Sequence, residues 1–263
     1  MKKFLLLISF TVLTAFFLTG CLDSQEDVTI KSDGSGVYKN SIDMSGLFDM
    51  LQMAAMMDTS ASSQLKQLSD KNLDSTFSLA GFADTSSTLS AEEKALLKNG
   101  TVHLNINQQN KVLKVDMTYP FKKVEDLQKI LELQKSKKGF NPLRQAGENP
   151  ALQGLGGNGE SDTAMSSPLD GIDIIYKNGL IERKVDQKKI EAAKNSEGGN
   201  QLKSMGEMLD GVTFSTVIHL PRPVKNSSGE KLSLSDDKKT LRMKYSLSDM
   251  MKNLKALEFK VEY

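Results

Sequence analysis

The amino-acid sequence predicts an α+β fold: an antiparallel β-sheet built from hairpins, with short helices packed on one face, preceded by a cleaved leader. Three observations predict it. The dipeptides Asp33-Gly34 and Asn178-Gly179, which supply the positive φ of tight turns, separate runs rich in β-branched and aromatic residues. Residues 101–107 and 111–119 alternate apolar and polar side chains with the period of two of half-buried strands. Hairpin turns also outnumber crossover-length helices, which argues against a doubly wound parallel sheet.

The chain opens with Lys2 and Lys3, followed by an apolar run over residues 4–18 broken only by Ser9, Thr11 and Thr14. This run falls short of the roughly 20 apolar residues a spanning helix needs, so residues 1–20 are expected to be a removed signal peptide. The leader ends in Leu18-Thr19-Gly20-Cys21, which resembles the lipobox of bacterial lipoproteins, and Cys21 is the single cysteine of the chain. That resemblance implies a diacylglyceryl group on the Cys21 thiol, cleavage before Cys21 and acylation of the new amine, with fatty acids such as palmitate. The alternative is an ordinary secreted protein with a stray free thiol, unusual in an exported chain. One acyl chain binds membranes marginally, at ~0.8 kcal/mol per buried methylene, whereas two or three chains anchor stably. The implied location is the cell envelope, lipid-anchored, with the outer membrane as the expected site.

Composition bounds the rest. A chain starting at Cys21 has 263 − 20 = 243 residues, room for one large or two small domains. Loss of Lys2 and Lys3 takes the formal net charge from +1 to −1, leaving no basic surplus for nucleic acid. With its cysteine acylated the chain forms no internal disulfide, so packing must carry stability. Tryptophan is absent and aromatics are 6%, thin for a stacking surface.

In chain order, residues 21–27 (Cys-Leu-Asp-Ser-Gln-Glu-Asp) are expected to form a short acidic tether. Acidic residues after a lipidated cysteine look like the surface-export signal of Bacteroidetes-type lipoproteins; a solvated spacer is the plainer reading. A hairpin spans residues 28–42, and Asp33-Gly34-Ser35-Gly36 at its turn lacks the further carboxylates of a calcium loop. Residues 46–57, with Met50, Met53, Met56 and Met57, form an expected helix apolar almost all round. Core packing is favoured there over an adaptable cavity for a lipid-like ligand, although methionine suits both. Strand-like residues 75–79 follow. Ser90-Ala91-Glu92-Glu93 has the capping-box pattern and predicts a helix over 91–98. The alternating hairpin 101–119 leads into an amphipathic helix over 124–134, with Leu127, Ile130, Leu131 and Gln134 at helical spacing.

Residues 28–138 thus make a first hairpin-and-helix half. Residues 139–168 hold six glycines and three of the six prolines and are expected to be a flexible linker or insertion. The second half, residues 169–263, begins with the Asn-Gly hairpin 172–185. It continues with a polar helix 186–195, a short helix 201–209 and a strand 212–220 ended by Pro221 and Pro223. Strands near 232–234 and 240–246, a helical turn near 248–254 and a last strand 256–263 complete it. A weak repeat runs through the chain: a strand carrying Tyr38, Tyr119 or Tyr245 leads each time into a helical stretch.

The run Val212-Thr213-Phe214-Ser215-Thr216-Val217-Ile218-His219-Leu220-Pro221-Arg222-Pro223, followed by Leu234-Ser235-Asp236-Asp237-Lys238-Lys239-Thr240-Leu241, resembles LppM-like and related envelope lipoproteins. Together with the hairpin 28–42 it covers about a third of the mature chain. The resemblance implies a lipid-anchored antiparallel α+β domain of the envelope and transfers no catalytic residues. The segment 139–168 departs from the pattern.

No catalytic constellation emerges. His103 and His219 lie on polar strand faces, and a zinc site built from two histidines would need added carboxylates. Ser63-x-x-Lys66 stands in a polar stretch without partner motifs, Leu155-Gly156-Gly157-Asn158-Gly159 lacks the Gly-Lys-Ser/Thr ending of a phosphate loop, and Asp236-Asp237 and Glu92-Glu93 fit a turn and a helix cap. The chain is expected to be non-catalytic, with no cofactor, no metal and no nucleic-acid partner. It is expected to be held at the membrane by the lipid on Cys21 and to bind a protein or glycan. The alternative is a carrier or sensor of an apolar ligand in a cavity lined by Met50, Met53, Met56 and Met57.

Overall fold

Among the described residues, eight strands in the spatial order Leu232–Leu234, Thr240–Ser246, Val212–His219, Leu22–Ile30, Gly36–Asp43, Val112–Phe121, Thr101–Asn107 and Asn72–Ser78 form the main layer, and Ile172–Lys177, Leu180–Val185, Phe259–Glu262 and Asn226–Gly229 form a second sheet. The structure is a computed structural model describing residues 22–46, 48–49, 52, 72–136, 171–195 and 210–263. The strands are β1 (Leu22–Ile30), β2 (Gly36–Asp43), β3 (Asn72–Ser78), β4 (Thr101–Asn107), β5 (Val112–Phe121), β6 (Ile172–Lys177), β7 (Leu180–Val185), β8 (Val212–His219), β9 (Asn226–Gly229), β10 (Leu232–Leu234), β11 (Thr240–Ser246) and β12 (Phe259–Glu262). The helices are α1 (Ala80–Thr85), α2 (Ala91–Leu97), α3 (Val124–Lys135), α4 (Gln187–Lys194) and α5 (Leu247–Lys252), with a 3-10 turn at Lys255–Leu257. The fold class is α+β, and strands dominate it.

Alternation builds the main sheet. Val102, Leu104 and Ile106 of β4 and Leu113, Val115, Met117, Tyr119 and Phe121 of β5 are buried, while His103, Asp116 and Lys114 face outward. The β4–β5 hairpin closes through Lys111, which takes a positive φ of 52°. The β1–β2 hairpin closes as Asp33-Gly34 predicts: Gly34 has φ +82°, and the Asp33 carboxylate accepts from the Ser35 amide and hydroxyl. Gly179 does the same for β6 and β7 at φ +83°. Gly36 serves a different need, close approach: a Cβ there would stand 1.9 Å from the Thr29 carbonyl oxygen and 2.4 Å from the Phe121 ring.

One face of the main sheet meets the rest of the molecule. α3 packs on β5 and β6, α5 packs on β8 and β11, and the second sheet supplies Ile181, Phe259 and Val261 to the same apolar cluster. The helices start where local chemistry directs. Ser90 and Glu93 complete the predicted capping box of α2, Ser246 and Asp249 complete another at α5, and the Asp186 carboxylate accepts from the Lys188 and Lys189 amides at α4.

Several expectations are corrected. β1 begins at Leu22, not near Val28, so residues 22–27 are strand and not a solvated tether. Leu22 pairs with β8 alone, residues 23–27 are paired on both sides, antiparallel to β2 and parallel to β8, and two ladders outweigh the weak strand preference of Asp and Glu. The parallel β1–β8 pair breaks an otherwise antiparallel pattern, and strands from both halves of the chain share the main sheet. The second sheet was not anticipated, nor were α1 and β9. The last strand starts at Phe259, because residues 255–257 coil into the 3-10 turn. The expected helix 201–209 and segment 139–168 lie outside the described residues, as does most of the expected helix 46–57.

Candidate functional site

Of the residues singled out for function, Cys21, Met50, Met53, Met56 and Met57 lie outside the described residues, as do Ser63 and Lys66. What is described is the immediate neighbour of Cys21. Leu22 is the first residue of β1 and the register partner of Val212, and Asp23 is paired to Asp43 on one side and Thr213 on the other.

Five residues along β1, alternation turns Glu26 inward with Leu22, Ser24, Val28 and Ile30. There it meets Arg183 of β7, which the period of two places on the inner face between Ile181 and Val185. The Arg183 side chain is 1% exposed and that of Glu26 26%. Nη2 of Arg183 lies 3.9 Å from Glu26 Oε2 and donates to the Thr216 hydroxyl at 3.0 Å. That hydroxyl donates onward to Glu26 at 3.2 Å, and the Tyr38 hydroxyl donates to the other carboxylate oxygen at 3.2 Å. Nη1 of Arg183 points at the Met243 sulfur at 3.0 Å. The guanidinium also lies 5.6 Å from the Tyr245 ring centroid and 5.4 Å from that of Phe259. Its buried Nε has no hydrogen-bond partner among the described residues.

This network joins the two sheets. Arg183 comes from the second sheet; Glu26, Tyr38, Thr216, Met243 and Tyr245 come from the first. Burial and then the Glu26 charge push the Tyr38 hydroxyl well above the ordinary tyrosine range, so it stays a neutral donor. Burial raises Tyr176 and Tyr245 as well, the Glu26 charge adding to both and Arg183 opposing it. A buried ion pair of this kind costs desolvation that its attraction only partly offsets, so its first consequence is registration of one sheet on the other. The three tyrosines of the sequence repeat all line this inner face; Tyr38 and Tyr119 are cross-strand partners with ring centroids 6.2 Å apart.

The histidines sit on the opposite, outer face, and both have carboxylate partners that sequence reading missed. His103 Nε2 lies 2.6 Å from Asp74 of β3, and Nδ1 lies 3.5 Å from Asp116 of β5. The hydrogen bond to Asp74 raises the His103 pKa above the ordinary histidine value, with desolvation opposing it and Asp116 adding to it. His219 lies 3.5 Å from Asp27 and 3.4 Å from the Thr240 hydroxyl, at the outer limit of hydrogen bonding. In each case two different ring nitrogens face two different groups, so the partners do not converge on one point. Among the described residues, no group of three or more His, Cys, Asp or Glu side chains is arranged to hold a metal ion.

A cleft of about 360 Å³ runs between α2 and α3, lined by Ser90, Glu92, Glu93, Leu96, Lys129, Glu132, Leu133 and Ser136. Glu92 and Lys129 pair across it, and the Lys129 bond lowers the Glu92 pKa. Among the described residues no helix is long and apolar enough to cross a membrane.

The fold and its charged network define a class, an α+β domain of two antiparallel-rich sheets joined by a buried arginine that faces a partly exposed glutamate. Comparison with known proteins finds no matching family model and no matching curated relative. Among solved structures, the NMR structure of the folded domain of LppM from Mycobacterium tuberculosis is a distant neighbour. It has 8% sequence identity and a TM-score of 0.38, over 94% of this chain and 93% of that one. A likeness this remote transfers no residue role or ligand, and it lends no support to a Bacteroidetes-type origin.

Proposed function

We propose that the chain is a lipid-anchored lipoprotein of the cell envelope. It is non-catalytic and presents its α+β domain close to a membrane for binding a protein or glycan partner. The observation that carries this reading is Leu18-Thr19-Gly20-Cys21 at the end of an apolar leader, directly before the first strand of the fold. The leader supplies export, the cysteine supplies the acyl attachment, and the outer membrane is the proposed destination.

Two of the charged groups that the fold gathers have structural tasks, which fits a binding role. Arg183 and Glu26 register the two sheets, and His103 ties β3 to β4 and β5. The outer face of the main sheet carries Asp23, Gln25, Asp27, Lys39, Asp43, Lys114 and Asp116, a polar surface of mixed charge suited to a protein or glycan.

Fractionation of cells making the full chain and its Cys21→Ser variant tests the reading. The native chain is expected in the membrane fraction with its leader removed; Cys21→Ser is expected to leave the membrane or to retain the leader. Unchanged processing and attachment would sink the proposal. Extraction of lipid from purified protein lacking the anchor checks the binding role: stoichiometric lipid would shift the reading to an apolar-ligand carrier.

A further inference from the structure

We infer that the end of the main sheet at which β1 begins, β2 ends and β8 begins is the surface of the domain that faces the lipid bilayer. The inference rests on the lipoprotein reading above and adds an orientation to it. A six-residue flexible tether would let the domain stand up to ~20 Å from its anchor and rotate freely. The structure removes that freedom, because the ladders start at once: Leu22 is paired to Val212, and Asp23 to both Asp43 and Thr213. The Thr213 hydroxyl also donates to the Asp23 carboxylate.

Lengths then decide the orientation. Adjacent Cα atoms are about 3.8 Å apart. The polar layer on each side of the hydrocarbon is about 5–8 Å thick. A diacylglyceryl group on Cys21 therefore reaches hydrocarbon only when the sheet's end lies at headgroup level. That end brings Leu22 and Val212 together as half-buried apolar partners, and Lys114 covers the Asp43 carboxylate at 2.9 Å. Because β1 has nine residues, the turn at Lys31 to Ser35 lies about 27 Å farther out. The second turn pointing that way joins β10 to β11 through Asp236 and Asp237.

Once Cys21 is acylated, an introduced cysteine carries the one free thiol of the chain. Full-length acylated protein bearing Asp210→Cys or Asp49→Cys at the near end, or Ser32→Cys or Asp236→Cys at the far end, is labelled with a fluorophore. All four positions are exposed. Each is reconstituted in phosphatidylethanolamine and phosphatidylglycerol vesicles containing a headgroup-spin-labelled lipid. Labels at 210 and 49 are expected to be quenched at least twofold more than labels at 32 and 236. Equal quenching, or stronger quenching at the far positions, on protein whose Cys21 peptide carries its acyl groups would overturn the orientation alone. Absence of acyl groups from that peptide would overturn the lipoprotein reading and the orientation with it.

Discussion

Arg183, 1% exposed on the second sheet, faces Glu26 of the first strand with Nη2 3.9 Å from Oε2, and the Thr216 hydroxyl bridges the two. No apolar pair could register the sheets in the same way, because the guanidinium fork has directed partners on β1, β8 and β11. Removing one member of a buried pair leaves the other uncompensated, typically at about 3–5 kcal/mol. Arg183→Ala is expected to cost that much in urea denaturation of the Cys21→Ser form. Arg183→Lys is not expected to rescue it, since an ammonium lacks the fork. Glu26→Gln is expected to cost as much, about 3–5 kcal/mol, because it leaves the Arg183 guanidinium, 1% exposed, without its counter-charge. A loss below about 1 kcal/mol for Arg183→Ala would contradict the assigned role.

His103 provides a pH test. Its pKa is raised by the Asp74 hydrogen bond, so the folded state binds its proton more tightly than the unfolded chain does. The stabilisation is therefore complete below the ordinary histidine value of 6.5 and is lost as pH rises through the raised value. NMR titration of the ring protons should place His103 above 6.5 in the native chain and lower it in Asp74→Asn. The protection factors of the β3 amides, which divide out the base catalysis of exchange itself, should fall over the same rise in pH. A His103 midpoint unmoved by Asp74→Asn would refute the clamp.

The paired caps at α2 and α5 offer a third check. Ser90→Ala and Ser246→Ala each remove the acceptor of one first-turn amide, from Glu93 and from Asp249. Each should cost about 0.5–2 kcal/mol. The Ser246 change is expected to be the larger, because α5 packs on β8 and β11 and Asp249 also holds Lys231 at 2.7 Å. Equilibrium unfolding of the two variants compares them directly.

Gly36→Ala probes packing at the β2–β5 crossing. The added methyl would meet the Thr29 carbonyl at 1.9 Å and the Phe121 ring at 2.4 Å, and the first of these is backbone that cannot rotate away. Overpacking of this kind typically costs about 1–3 kcal/mol and occasionally more. A denaturation midpoint equal to that of the native chain would show that the β1–β2 hairpin gives way more easily than its double pairing implies.

Much of the fold was legible because its signals are local. Asp33-Gly34 and Asn178-Gly179 announced their hairpins, Ser90 to Glu93 announced α2, and strict alternation announced β4 and β5 with the correct inner faces. What escaped reading depends on partners far away in sequence. β9 is four exposed polar residues, Asn226 to Gly229, made a strand only by pairing with β12. The parallel pairing of β1 to β8 leaves no mark in either segment. Glu26 sits in the acidic run Asp23 to Asp27, which reads as a tether, and Arg183 stands between Glu182 and Lys184 in a hairpin strand whose charges carry no mark of a partner. Their alternation with Val28 and Ile30, and with Ile181 and Val185, was the signal that both turn inward. The carboxylates beside His103 were hidden likewise, because Asp74 and Asp116 reach it across strands.

The residue just before β1 decides whether the chain is a lipoprotein, and mass spectrometry of the N-terminal peptide of the protein taken from its native membrane reads its state. The mature chain is expected to begin at Cys21 and to be heavier than the bare peptide by a thioether-linked diacylglyceryl group and an amide-linked fatty acid. A peptide that begins elsewhere, or one with an unmodified Cys21 thiol, would contradict the lipoprotein reading.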